Sequence, residues 1–243
     1  MPDGVKMKGV KGMLFAGLQK LTLLDYPQHT ACTLFTQGCN LRCPFCHNSS
    51  LLDACRAPEN PILAEDVLAF LYKRRGTLDG VCITGGEPLM HDELREFILH
   101  VRQMGFLVKL DTNGCYPDKL RHLIDEGLLD MVAMDVKNAP ARYAMTVGVP
   151  HFDVTPVRES VALLKENKVS YELRTTVADE LHSDEDMQEI AQWLQGDSRY
   201  FLQAYRESDA VLHKGLHAPS REKLKRFLSI LQPLMPYAAI RGE

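Results

Sequence analysis

The chain has 243 residues, 45% hydrophobic and 25% charged, with a formal net charge of -4 from 28 Lys and Arg against 32 Asp and Glu. That composition fits one globular domain over residues 1–243, and the charge balance gives no basic field for a nucleic-acid partner. The apolar run 13–18 follows Lys6, Lys8 and Lys11, but it is broken by Gly17 and too short for a signal peptide; no stretch has the length of a membrane-spanning helix. With seven cysteines and no export signal, the expected setting is the reduced cytoplasm, without a membrane partner.

The first predicted element is a strand over 31–37, apolar and rich in β-favouring residues, which ends at Gly38 and opens into Cys39-Asn40-Leu41-Arg42-Cys43-Pro44-Phe45-Cys46. Three cysteines at this spacing form a metal or redox pattern, yet they are one short of the four ligands of a structural zinc or an electron-transfer cluster. Such a trio points to a metal centre left open for chemistry, with a loop of buried free cysteines as the bland alternative. Helix 62–74 follows, with Pro61 at its start and Gly76 beyond its end. Strand and helix then alternate: 80–84 and 92–104, 106–110 and 117–126, 131–136 and 156–167, 170–177 and 184–194, 200–203 and 220–231. Six strands each followed by a helix predict a parallel α/β sheet with outer helices, in an open or partial-barrel form; an eight-unit barrel is excluded by count. The core spans about 12–206, and helix 220–231 closes the chain.

In parallel α/β folds the reactive rim lies at the C-terminal ends of the strands. There the sequence places the cysteines, then Gly85-Gly86-Glu87-Pro88, Asp111-Thr112-Asn113-Gly114, Met134-Asp135-Val136-Lys137, and Arg174 with Thr175 and Thr176. Taken singly, each has a plainer reading. Gly-Gly-Glu-Pro is equally a turn, Asp111 and Asn113 are turn or capping residues, and Asp135 and Lys137 mark a strand end meeting solvent. Their recurrence on one rim, facing the cysteine trio, favours a site.

Cys39-x3-Cys43-x2-Cys46 with Phe45 before the last cysteine, followed by Gly85 to Pro88, resembles the radical S-adenosylmethionine superfamily and its six-unit (β/α) partial barrel. The continuation His47-Asn48, the Asp111 and Asp135-Val136-Lys137 segments, and the opening from Gly17 to Pro27 are similar to its glycyl-radical-enzyme activating branch, nearest to the activators of anaerobic ribonucleoside-triphosphate reductase. The resemblance implies one [4Fe-4S] cluster on Cys39, Cys43 and Cys46, with S-adenosylmethionine completing the fourth iron. It implies reductive cleavage of that cofactor to a 5′-deoxyadenosyl radical, which generates a glycyl radical on a partner enzyme. A low-potential donor such as flavodoxin or ferredoxin would supply the electron. Gly85, Gly86 and Glu87 would meet the methionine amino group, and Asp111, Asn113, Asp135 and Lys137 would line the methionine and ribose region. Arg174 would serve the carboxylate or sulfonium, Phe45 the adenine, and His47 the cluster sulfurs. Asp111, Thr112, Met134 and Asp135 match a monovalent-cation site of the pyruvate formate-lyase activators, while Arg206 stands where those activators carry a histidine.

Cys32, Cys55, Cys82 and Cys115 form no second compact ligand set, so no auxiliary cluster is expected. Two other function classes stay open: a radical enzyme acting on a small pterin- or deazapurine-type molecule, and a non-catalytic iron-sulfur or zinc scaffold.

Overall fold

A computed structural model describes residues 12–196 and 199–242; Lys6, Lys8 and Lys11 lie outside the described residues. Nine strands form one sheet: β1 (Leu14–Thr22), β2 (Ala31–Thr36), β3 (Ile62–Leu63), β4 (Gly80–Gly85), β5 (Leu107–Thr112), β6 (Met131–Asp135), β7 (Ser170–Val177), β8 (Tyr200–Ala204) and β9 (Ala238–Ile240). Their spatial order is β3-β1-β2-β4-β5-β6-β7-β8-β9, and β2 through β9 pair in parallel. The sheet is unclosed, since β3 and β9 are its two edges. The helices are α1 (Ala64–Arg74), α2 (Leu94–Gln103), α3 (Pro117–Asp125), α4 (Tyr143–Val147), α5 (Thr155–Leu164), α6 (Asp184–Leu194) and α7 (Arg221–Leu231). Among the described residues no helix is long and apolar enough to cross a membrane.

The six predicted βα units are present with ends moved by a few residues. The added strands lie at the margins: β1 runs antiparallel to β2, β3 runs antiparallel to β1, and β9 adds a parallel strand after the last helix, while α4 is inserted within the fourth unit. The β1 ladder carries register shifts between Phe15 and Gly17 and between Gln19 and Thr22, which break the two-residue alternation expected of a strand.

Alternation along the parallel strands separates two faces. Val81, Ile83, Val108, Leu110, Val132 and Leu173 are fully buried and form one hydrophobic core with helix residues such as Val67, Phe97, Leu120 and Ile190. The opposite, lumen face carries Cys82 beside Lys109, Asp111 beside Ala133, and Asp135 beside Arg174 in register. An apolar outer face and a charged inner face send the reactive side chains inward.

Candidate active site

The excursion that carries the cysteines closes on itself. Gly38 N donates to Leu51 O (2.7 Å), Cys39 N to Leu52 O (3.2 Å), and Gln37 Nε2 to Asp53 O (2.9 Å). Inside it Cys46 N donates to Cys43 O (3.0 Å), folding the second half into a tight turn. Outside it Arg42 N reaches Val147 O at the end of α4 (2.9 Å). The segment after β8 straps the other side, through His213 N to Pro44 O (3.0 Å) and Ser49 Oγ to Ala210 O (2.5 Å). His47 stacks on Tyr205 at 5.5 Å and gives its Nε2 proton to Arg206 O (2.6 Å), so that nitrogen is committed to the strap.

Cys39, Cys43 and Cys46 all line one cavity of about 180 Å³. Burial pushes the Cys43 thiol up to about 12 and raises Cys39 and Cys46 as well, while Lys137 pulls each of them back. Metal must displace these protons to bind. Among the described residues no three His, Cys, Asp or Glu side chains converge on a single ion. Thiolates spread around a cavity suit a cuboidal cluster, which takes one thiolate per iron, better than a mononuclear site.

The Gly-Gly-Glu-Pro segment is docked against this loop. Gly86 N donates to Thr36 O (3.0 Å) and Glu87 N to Gly38 O (2.8 Å). A Cβ on Gly86 would stand 2.0 Å from Gly38 O, and one on Gly85, at φ +120°, 2.3 Å from Thr36 N. The glycines therefore permit a close backbone approach of β4 to the cysteine loop, and both also line the cavity. Glu87 behaves differently from the expectation of a ligand carboxylate. Fully buried, it accepts from Thr112 Oγ1 (2.8 Å), Leu89 N (3.1 Å) and Asn113 N (2.7 Å), and its side chain lies behind the cavity wall. Burial raises it to about 7, against the pull of those hydrogen bonds. Asn113 lines the cavity and relays this tie to the cysteines, since its Nδ2 donates to Asn40 Oδ1 (2.8 Å) and lies 3.8 Å from Cys39 Sγ.

The remaining wall is a chain of charges. Arg174 Nε donates to Asp135 Oδ1 (2.8 Å) and its Nη1 to Asp111 Oδ2 (3.3 Å); Lys137 Nζ holds Asp135 Oδ2 (2.9 Å), and Lys109 Nζ holds Asp111 Oδ1. Burial disfavours the Asp135 charge, yet Arg174 and Lys137 keep its carboxyl well below the usual carboxylate range. Burial likewise opposes the Lys137 charge, and Asp135 keeps that ammonium above the ordinary lysine value. Both carboxylates are thus answered by cations of the chain. Phe45 packs at the same wall, with Lys137 Nζ 5.9 Å from its ring centre.

Of the residues expected from sequence, the three cysteines, Phe45, Gly85, Gly86, Asp111, Asn113, Asp135, Lys137 and Arg174 share the cavity, and Glu87 braces it. Sequence reasoning passed over Lys109. A lysine between apolar residues of a central strand, two positions before Asp111, was the available signal.

Comparison with known proteins bears on this geometry. The profile described as the Radical SAM superfamily matches residues 33–194. A Methanocaldococcus jannaschii protein carrying the provisional name glycyl-radical enzyme activating enzyme is 31% identical over 236 residues, 94% of this chain and 95% of that protein. A 7-carboxy-7-deazaguanine synthase of Methanopyrus kandleri is 36% identical over 118 residues, 41% of this chain and 46% of that protein. Streptococcus suis SuiB, in a structure bound to S-adenosylmethionine, superposes with a TM-score of 0.65 at 15% identity, over 85% of this chain and 49% of SuiB, which is a likeness of fold.

Proposed function

This chain belongs to the Radical SAM superfamily, and from that membership we propose that it is an activase that installs a glycyl radical on a partner enzyme, with anaerobic ribonucleotide reductase as the partner. The observation that carries the reading is the near-full-length likeness to a protein named for glycyl-radical-enzyme activation. The small-molecule alternative is favoured by the likeness to a deazaguanine synthase, which stops at less than half of either chain.

The family uses a [4Fe-4S] cluster and S-adenosylmethionine, which when bound would supply one-electron radical chemistry directed at the glycine Cα hydrogen of the partner. In this chain Cys39, Cys43 and Cys46 would hold the cluster, leaving one iron for S-adenosylmethionine to complete. Arg174 and Lys137 present positive charge to the cofactor carboxylate, with Asp135 fixing both cations in place. Gly85 and Gly86 keep β4 close enough for main-chain groups to meet the amino end, and Phe45 offers an apolar face to the adenine. The strap over His47 and Pro44 fixes the cysteine loop from its outer side. A low-potential donor such as flavodoxin or ferredoxin would deliver the electron, in a reducing cytoplasm.

The test is to incubate reduced, reconstituted protein with S-adenosylmethionine and a purified anaerobic ribonucleotide reductase. The expected result is a glycyl doublet in the electron paramagnetic resonance spectrum together with 5′-deoxyadenosine. Cofactor cleavage with no doublet on any glycyl-radical enzyme, but with turnover of a small-molecule substrate, would move the assignment to the alternative.

A further inference from the structure

The charges of the lumen continue below the cavity onto residues that the reaction does not engage. Glu172, two positions before Arg174 on β7, is 2% exposed and takes Arg241 Nη2 at 2.6 Å on Oε2. Its other oxygen, Oε1, has no hydrogen-bond donor among the described residues and lies 4.0 Å from Arg174 Nη1. Arg174 Nη1 therefore sits between two carboxylates, with Asp111 above at 3.3 Å and Glu172 below. Among the described residues Arg174 and Arg241 are the only cations within ion-pair reach of Glu172. Arg241 follows β9, outside the matched span 33–194. It is held there by its N–H to Leu202 O (2.9 Å) and by its guanidinium 4.3 Å from the Phe201 ring.

We propose that Arg241 is a positioning residue for S-adenosylmethionine binding: by occupying Glu172 it leaves Arg174 free to stay with Asp111 and Asp135 at the cavity. The inference rests on the reading that Arg174 faces the cofactor. An unanswered carboxylate as buried as Glu172 competes strongly for the nearest guanidinium. Without Arg241, the nearest cation left to Glu172 among the described residues is Arg174, and a full hydrogen bond to it draws Nη1 down and away from Asp111. The last strand of the sheet thus bears on cofactor affinity while touching no cofactor atom.

The experiment is titration calorimetry of S-adenosylmethionine into the oxidised, reconstituted protein, in which the cofactor binds without being cleaved. Arg241→Gln is expected to weaken binding about tenfold, the lower end of what partners of a ligating group contribute, with iron and sulfide content unchanged. The double variant E172Q/R241Q removes the competing charge and is expected to return to within about threefold of the parent, a recovery that a coupled pair gives and independent sites do not. Arg241→Gln binding within about twofold of the parent overturns the proposal, and so does a double variant as weak as the single, which would mark a packing role. If Arg241→Gln does not load its cluster, the double variant decides alone: near-parent affinity upholds the proposal and weak affinity ends it. Arg174→Gln separates the two layers, because unchanged affinity there removes Arg174 from the cofactor site, whereas weakening there with none at Arg241 removes the positioning role alone.

Discussion

Glu87→Gln probes whether burial or hydrogen bonding governs the carboxylate behind the active-site wall. In the folded chain Glu87 rises from 4.5 to about 7. That gap corresponds to about 3 kcal/mol of preference for the protonated form. A carboxyl raised on folding contributes its stability below its unfolded value and loses it as pH climbs through its folded value. Stability therefore falls by about 2.5 kcal/mol between pH 5 and pH 8 through this one group. Glutamine cannot ionise, so the variant lacks that fall. It carries instead a pH-independent offset of about 1–3 kcal/mol, because the carboxamide NH2 faces the Asn113 N–H that Oε2 accepted at 2.7 Å. Guanidinium unfolding of both proteins in metal-free, reducing buffer, followed by circular dichroism, gives the difference at each pH. The advantage of the parent should shrink by about 2.5 kcal/mol from pH 5 to pH 8. A difference that stays flat over this range would refute the reasoning, since the three hydrogen bonds would then fully offset burial.

Gly86→Ala should lower cluster loading and destabilise the protein by about 1–3 kcal/mol or more, because its Cβ meets Gly38 O at 2.0 Å and Gly38 C at 2.6 Å; iron content and a thermal melt report both. Alanine at Cys39, Cys43 or Cys46 should abolish loading of the about four irons of one cluster, while Cys55→Ala, at an exposed position, retains them; about eight irons in the parent would reveal a second cluster. Lys109→Met removes one of the two cations on Asp111 and leaves Arg174, so it should destabilise by about 1–3 kcal/mol, seen as a lowered unfolding midpoint with no change in far-ultraviolet dichroism.

The central units were legible because their strands are short apolar runs and their helices carry the punctuation of Pro117 and Gly76, which local chemistry dictates. β1 was not, for its bulges break the alternation and Gln19, Lys20 and Leu21 are exposed. The five residues of α4 are too few to show a period, and the two of β3 were absorbed into the helix they precede. At the site, spacing located the cysteines and the rim motifs, because strand ends of a parallel sheet gather wherever the strands pair. Orientation was beyond reach. Nothing in Gly-Gly-Glu-Pro says that Glu87 turns toward Thr112 and Asn113, since that direction is set by donors on β5 and the loop after it, 25 and 26 residues away. The same holds for Glu172, whose partner Arg241 is 69 residues distant.

An unclosed barrel leaves two free sheet edges, each a template on which another chain could add a strand and begin to aggregate. Here those edges are β3, with two residues, and β9, with three. β3 covers only Leu14 and Phe15 of β1, and the rest of that edge is blunted by the register shifts of β1 and by exposed Lys20. The wall can thus stay open while short terminal strands and a bulged, charged edge give sheet growth few places to start.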